Sequence, residues 1–146
     1  MHIMSETQAL QVLDDIRQGP LEREAAARYL KRHPTQKVIH RLVLALQDDD
    51  FGVRWDAAEA LALLGEPALP ELVKALTDPQ RIGDSRLREG AYHVLHHMQR
   101  DRLSVPVDKL MAALKGPASD IAAFEEANRL LHELNSRLSS RLQRRS

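Results

Sequence analysis

Three histidines lie close together at positions 93, 96 and 97 of the 146-residue sequence, and a fourth follows at position 132. His93 and His97 are four residues apart, so in a helix their imidazoles would lie one turn apart on the same face. Imidazole and carboxylate groups are ligands for divalent transition metals. A metal site here would combine His93, His96 and His132, with oxygen ligands available from Glu89, Glu125 or Glu133. No His-Glu-x-x-His motif supports it, so solvated or partner-facing histidines are the alternative.

No other group of residues forms a recognisable catalytic constellation. The sequence has no nucleophile beside a positioned base, no glycine-rich phosphate loop and no paired-carboxylate motif. Asp48, Asp49 and Asp50 fit a turn and helix cap better than a calcium loop, because nothing supplies the further ligands that calcium requires. We therefore expect a protein that is not an enzyme and that needs no cofactor.

Composition argues against several other classes of function. Lys plus Arg (21) equals Asp plus Glu (21), so no overall field would steer the chain to nucleic acid or to an acidic membrane. No apolar run approaches the roughly 20 residues that a membrane-spanning helix needs. Aromatic residues are 3% of the chain and cysteine is absent. The scarcity of strand-forming residues favours an all-α fold, and the lack of cysteine favours a reducing compartment, most simply the cytoplasm.

The helices that must position these residues are visible as an internal repeat. An apolar stripe with the helical spacing i, i+3, i+4, i+7 occurs four times, and the first three copies are thirty residues apart. The stripes are Ala9, Val12, Leu13, Ile16, then Ile39, Leu42, Val43, Leu46, then Leu69, Leu72, Val73, Leu76, and finally Val107, Leu110, Met111, Leu114. A second stripe follows each of them, beginning at Leu21, Val53, Leu87 and Ala123. This alternation predicts four hairpins, each with a first and a second helix.

One hairpin cannot bury its apolar face alone, so we expect all four to stack into a single domain over 1–146. Proline and glycine residues at the joints give predicted repeat boundaries of 5–33, 34–65, 66–100 and 105–135. The remaining residues, 136–146, carry four arginines and no acidic residue. This tail indicates either a solvated extension of the last helix or a docking segment for an acidic partner.

The two central repeats resemble a known family, the short HEAT-like repeats of phycobilin lyases and many bacterial proteins. The second repeat carries the resemblance in Leu46-Gln-Asp48, Val53-Arg54, Ala57-Ala58, Ala60-Leu61, Gly65, Pro67-Ala68 and Leu72. The third repeat keeps Asp78, Leu87-Arg88, Ala91 and Leu95. The resemblance implies a right-handed α-solenoid (α/α superhelix) of four helix-hairpin HEAT-like repeats. It also implies an internal polar ladder that ties adjacent repeats together, formed by Asp48, Arg54, Asp78 and Arg88.

The resemblance specifies the fold far better than the function. It raises the possibility of an accessory protein in a bilin-lyase-like system, although the few aromatic residues do not suggest a tetrapyrrole cleft. HEAT-like alkylpurine glycosylases suggest a DNA-binding module, but Glu59, Glu89 and Glu125 would oppose phosphate along the groove. The di-iron deoxyhypusine hydroxylases also consist of HEAT repeats, and those repeats carry several His-Glu pairs. This chain has only one such pair, His132-Glu133.

The exposed face of the second helices is the most informative surface. In this architecture the second helices line the concave side, and at about 100° per residue the slots opposite the apolar stripe can be read from the sequence. In repeats 2 to 4 they hold Trp55, Glu59, Glu89, His93, His96, Glu125, Arg129 and His132, and in repeat 1 they hold Arg23, Ala27 and Leu30.

Trp55 is the one tryptophan of the chain. Tryptophan is costly to expose and is enriched at binding hot spots, although its ring could instead fold over a neighbouring helix. We therefore predict a non-catalytic scaffold that binds a protein or peptide partner on its concave face. Self-association remains possible, and a nucleic acid partner is disfavoured.

Overall fold

The computed structural model describes residues 4–98 and 103–144, and every regular element in those ranges is helical. A short 3₁₀ turn, Glu66–Ala68, joins the fourth and fifth helices. The helices are α1 (Glu6–Asp14), α2 (Pro20–Leu30), α3 (Gln36–Ala45), α4 (Phe51–Leu64), α5 (Leu69–Leu76), α6 (Ser85–Met98), α7 (Asp108–Lys115) and α8 (Ser119–Arg144). The prediction of an all-α fold is confirmed. Within the described ranges, none of these helices combines the length and the hydropathy that crossing a membrane requires.

Local sequence explains where the helices begin and end. α1 starts with a capping box, in which the Ser5 side chain accepts a hydrogen bond from the backbone N–H of Gln8 and the Gln8 side chain accepts one from Ser5. Thr35 and Asp50 cap α3 and α4 with a single bond each, in which the side chain accepts from the N–H three residues on. Gly65 ends α4 with φ 76°, in the left-handed region that favours glycine.

The helices pair as hairpins, and the first three hairpins stack in a regular order. α1, α3 and α5 contact one another in sequence and form one layer, whereas α2, α4 and α6 form the other. The apolar stripes meet between these layers, where Leu42, Leu61, Leu72 and Leu95 are fully buried. Because each hairpin covers the apolar face of the next, the array is an α-solenoid.

The fourth hairpin exchanges the two layers. α8 packs against α5, which is a first helix, whereas α7 packs against α6, which is a second helix. The Lys115 ammonium at the end of α7 lies 4.7 Å from the centroid of the Tyr92 ring on α6. Near the start of α5, Glu66 accepts a hydrogen bond from the Ser104 N–H (2.9 Å), and Arg137 of α8 donates to the Ser104 carbonyl (2.6 Å). The regular row of second helices therefore ends at α6, and the expectation that α8 continues it is corrected.

The first hairpin has a different register from the one predicted. Ile16 is 86% exposed because α1 ends two residues before it, and Leu21 at the start of α2 is 74% exposed. The residues expected on the exposed face of α2 are instead buried, namely Arg23, Ala27 and Leu30. The thirty-residue period of the first helices also relates α2 to α4, and it places Arg23 in the slot of Val53. Because Arg23 is charged and its equivalent Val53 is apolar, the apolar pattern of the sequence did not indicate this register.

Arg23 is buried because it forms an ion pair with Asp48 of the next repeat. The two side chains are only 10% and 13% exposed. Asp48 also accepts a hydrogen bond from the backbone N–H of Asp50 (2.9 Å). Asp48 therefore ties the first repeat to the second and shapes the turn that leads into α4.

The other members of the predicted ladder act within their own repeats. Arg54 donates to the carbonyl of Asp48 and Arg88 donates to that of Ile82, each at 2.7 Å and across six residues. Each arginine thus closes the loop that precedes its own helix. Asp78 accepts from the N–H of Gln80 (2.9 Å) within the same loop. The expectation that all four residues link adjacent repeats is corrected, because in the described part of the chain only Asp48 makes such a contact.

A network that the sequence did not reveal ties the second repeat to the third. The Gln47 amide accepts a hydrogen bond from Arg81 (2.6 Å) and donates one to Asp84 (3.0 Å). Arg86 then bridges Asp84 (3.0 Å) and Asp49 (2.9 Å). The hydrogen bonds from Arg86 and Gln47 hold the pKa of the Asp84 carboxyl well below its usual range. Asp84 therefore keeps its charge in this joint.

Most of the predicted tail continues the last helix, since α8 runs to Arg144. Arg137 anchors this extension through Ser104 and through Glu133 (3.0 Å), while Leu138 and Leu142 are exposed. Arg145 lies outside the described residues, as do residues 99 and 100 at the predicted end of the third repeat.

Replacing Asp48 by alanine should lower the free energy of unfolding by about 3–5 kcal/mol, because Arg23 would keep a buried charge without its partner. Asp49→Ala is the matched control, since Asp49 is fully exposed and meets Arg86 at the surface. The loss in Asp49→Ala should be only a small fraction of the loss in Asp48→Ala, because solvent screens the exposed pair. Urea unfolding followed by circular dichroism measures both values, and equal losses would contradict the assigned role of Asp48.

Replacing Arg137 by alanine should speed amide hydrogen exchange in residues 134–144 and leave global stability nearly unchanged, because its two bonds anchor an otherwise exposed helix end. Arg141→Ala is the control, since Arg141 makes no hydrogen bond or ion pair with the described residues. Exchange measured by mass spectrometry should respond only to the first change. Unaltered protection in Arg137→Ala would show that apolar packing alone holds the extension.

Candidate functional site

Two aromatic side chains and a carboxylate line one exposed face of α4. Phe51, Trp55 and Glu59 are four residues apart and therefore lie one above another along the helix. Phe51 is 66% exposed and Trp55 is 49% exposed. Their ring centroids are 6.3 Å apart with the planes tilted by 30°, a geometry of direct aromatic contact. α4 thus presents an apolar surface to solvent.

This face of α4 is joined to α6 through His93. The His93 ring lies 4.6 Å from the Trp55 ring, centroid to centroid, and its Nε2 lies 2.7 Å from Oε1 of Glu59. The sequence left two interpretations of Trp55, a ring folded over a neighbouring helix or a ring exposed for binding. In the structure the ring contacts His93 of α6, and about half of the side chain stays exposed. Glu59 and His93 occupy equivalent slots 34 residues apart, so stacking of the repeats brings them together.

His97 extends the cluster by one helical turn. Its ring centroid lies 4.4 Å from that of His93, with the planes inclined by 62°. One potential ligand atom from each of Glu59, His93 and His97 lies within 4.8 Å of the others. Within residues 4–98 and 103–144, this is the one group of three or more histidine and acidic side chains close enough to hold a metal ion together. We call Phe51, Trp55, Glu59, His93 and His97 the α4–α6 patch.

The metal set expected from the sequence, His93, His96 and His132, is not brought together. His96 is exposed and stacks on Tyr92, with ring centroids 6.0 Å apart. His132 is carried by α8, which packs on α5. The i, i+4 spacing aligns His93 with His97, whereas the set predicted from the exposed slots contained the i+3 residue, His96. The layer exchange in the fourth hairpin, which sequence periodicity does not encode, removed His132.

The remaining members of the predicted row are divided between two places. Glu89 is exposed on α6, one turn before His93. Glu125 and Arg129 are exposed on α8, where Arg129 donates to Glu126 (2.6 Å). Trp55, Glu59, Glu89, His93 and His96 thus lie on adjacent helices, and Glu125, Arg129 and His132 do not extend their row along α6.

Sequence reasoning missed Phe51 entirely and left His97 out of the exposed row. Phe51 begins α4, and its position one turn before Trp55 was the signal that could have found it. The i, i+4 spacing of His93 and His97 was visible from the start. Glu59 was placed on the correct face, but not as a companion of both histidines.

Charged groups border the aromatic pair. The Arg54 guanidinium lies 5.6 Å from the centroid of the Phe51 ring. The Glu24 carboxylate occupies the space that a side chain at Gly52 would need. Partial loss of hydration and a hydrogen bond with Asp50 raise the pKa of the Glu24 carboxyl above its usual value. The α4–α6 patch therefore has an apolar centre and a polar rim of mixed sign.

Stacked hairpins with a shared core define the class of this protein as a helical repeat protein. The family model for HEAT repeats matches residues 6–95, more than half of the chain, and the chain belongs to this family. The match ends within α6, before the hairpin that exchanges its layers. Neither the curated proteins nor the solved structures contain a match to the chain.

Replacing His93 by alanine should make Trp55 more accessible to acrylamide, because it removes the ring that covers part of the indole. Trp55 is the single tryptophan, so its emission reports on this position alone. His132→Ala, on α8, is the control and should leave the bimolecular quenching constant unchanged. A constant that rises equally in both variants, or in neither, would contradict the contact between Trp55 and His93.

Proposed function

We propose that this HEAT repeat protein is a non-catalytic scaffold that binds a protein or peptide partner on the α4–α6 patch. The observation that carries the proposal is the pair of adjacent exposed aromatic rings, Phe51 and Trp55, on a rigid helix. Keeping apolar ring surface in contact with water costs free energy that burial in an interface recovers, and aromatic side chains supply large contact areas at interfaces. HEAT repeats are commonly interaction scaffolds, which agrees with this assignment.

The surroundings of the aromatic pair fit recognition of another polypeptide. α4 packs between α2 and α6, so the patch is carried by a helix that is held on both sides. Glu59 and His93 add hydrogen-bonding groups beside the apolar centre. An apolar core with a polar rim is the usual anatomy of a protein interface. Preorganised side chains also reduce the entropy lost on binding.

The chemistry of the patch favours a polypeptide over nucleic acid. Glu59 and Glu89 are exposed on the same pair of helices and would repel a phosphate backbone. The balanced net charge of the chain gives no compensating attraction. We place the interaction in the cytoplasm, because the absence of cysteine suits a reducing compartment.

A displayed random-peptide library, selected on the immobilised wild-type protein, would supply a ligand, and fluorescence polarisation of the labelled peptide would give its affinity. Trp55→Ala and Phe51→Ala should each weaken binding by at least about tenfold, since removing an interface hot spot costs about 2 kcal/mol or more. Ile121→Ala is the matched control, because Ile121 is an equally exposed apolar residue (63%) on α8. His132→Ala tests whether α8 takes part, and it should have no effect.

Three results of this binding experiment would contradict the proposed site. Peptides whose affinity is insensitive to Trp55→Ala and Phe51→Ala would overturn the assignment of the site. Binding that is lost in His132→Ala as strongly as in Trp55→Ala would instead support a row that includes α8. Failure to select any peptide would argue against peptide recognition.

A further inference from the structure

We infer that Glu59, His93 and His97 form a binding site for a divalent transition metal ion of the zinc class, which links the second repeat to the third. This site goes beyond partner binding, because the protein alone supplies the ligands. It also differs from the histidine set that the sequence suggested. The inference rests on how three donor groups converge from two helices.

The geometry provides the donors at workable distances. His93 and His97 are one turn apart on α6 and lie on the same side of that helix. Glu59 reaches them from α4, and the three ligand atoms lie within 4.8 Å of one another. Ligands that each bond to zinc at about 2.0–2.2 Å are about 3.3 Å apart in a tetrahedral site. Side-chain rotations must close these spacings to bring all three onto one ion, and an ion bound at His93 Nε2 would replace the hydrogen bond between that atom and Glu59.

The site is partly organised before any ion binds. The His93 side chain is only 23% exposed, since the Trp55 ring covers it and Glu59 holds its Nε2. His97 is half-buried beside it. A fixed ring orientation lowers the entropy that ligand residues lose on coordination. An exposed cluster of carboxylates alone would have neither this packing nor this mixture of ligand types.

The ligand set indicates which ions would bind. Two imidazoles and one carboxylate suit zinc, nickel, cobalt and copper. Calcium takes six to eight oxygen ligands, so this site would not select it. Three protein ligands leave at least one coordination position for water or for a donor atom from another molecule. Because the ligands come from α4 and α6, an ion would crosslink two neighbouring repeats and stabilise the folded state.

Titration of the full, untagged chain with zinc chloride by isothermal calorimetry tests the inference. We expect one ion per chain, and His97→Gln and Glu59→Gln should each weaken binding by at least about tenfold. His96→Gln is the matched control, because His96 is on the same helix next to His97 but lies outside the group of three. Its affinity should equal that of the wild type. Circular dichroism would confirm that each variant is folded, and Glu59 is exposed enough for its substitution to be safe.

A second readout uses the tryptophan beside the site. Copper or nickel bound to His93 and His97 should quench Trp55 emission, because the indole lies 4.6 Å from the His93 ring. Quenching at stoichiometric metal should be present in the wild type and in His96→Gln, and it should disappear in His97→Gln. This readout keeps the test valid even if a variant changes the heat of binding.

Several results would overturn the inference. These are the absence of zinc binding to the wild type at millimolar metal, unchanged affinity in His97→Gln, or equal losses in His96→Gln and His97→Gln. The two proposals share the α4–α6 patch but can be tested separately, since Phe51→Ala should weaken peptide binding by at least about tenfold and leave the metal affinity unchanged. A failed metal titration would therefore leave the scaffold proposal standing, and loss of peptide binding alone would leave the metal site standing.

Discussion

The structure depends on one constraint, which is that no hairpin of this chain can bury its own apolar face. Each hairpin must cover the next, and the joints between them must satisfy the polar groups that the stacking encloses. At the first joint, the largely buried side chains of Arg23 and Asp48 neutralise each other. At the second joint, Gln47 bonds to Arg81 and Asp84 in the loop before α6, and Arg86 bridges Asp84 and Asp49. The repeats are therefore similar in their cores and individual in their polar joints.

Much of the fold could be predicted, because stacking imposes a period on the sequence. The stripes containing Leu42 and Leu72 are buried as expected, and so are Val53 and Leu87 at the starts of their second helices. The burial of Arg23 could not be predicted in this way, because an arginine in a sequence pattern indicates an exposed position unless its buried ion-pair partner is known. The exchange of layers in the fourth hairpin could not be predicted, because an amphipathic helix buries an equal stripe whichever neighbour it meets.

The candidate site was predictable to a similar extent. Equivalent slots in stacked repeats become neighbours, which is why Glu59 and His93, both assigned to the exposed row, lie in contact. It did not distinguish His96 from His97, because the two differ by only about 100° around the helix and the exposed arc is wide. Phe51 was missed because the apolar stripe of α4 was traced only from Val53 onward, although the i, i+4 spacing from Phe51 to Trp55 places both on one face. Whether a residue joins the site depends on its side-chain contacts with the neighbouring repeat, and the periodicity of the sequence does not specify those contacts.

The exchanged hairpin also determines how such an array can grow. In a regular stack, the last pair of helices presents the same two faces as every pair before it, so a further copy could be added without limit. Here α8 covers α5 and α7 covers α6, so the end of the stack no longer has the outline of its interior. A hairpin inserted between α2 and α5 would meet the two layers in the same order as its neighbours do, whereas a hairpin that met α7 and α8 would find that order reversed. The fourth hairpin thus marks a change in the order of the layers after three regularly stacked hairpins.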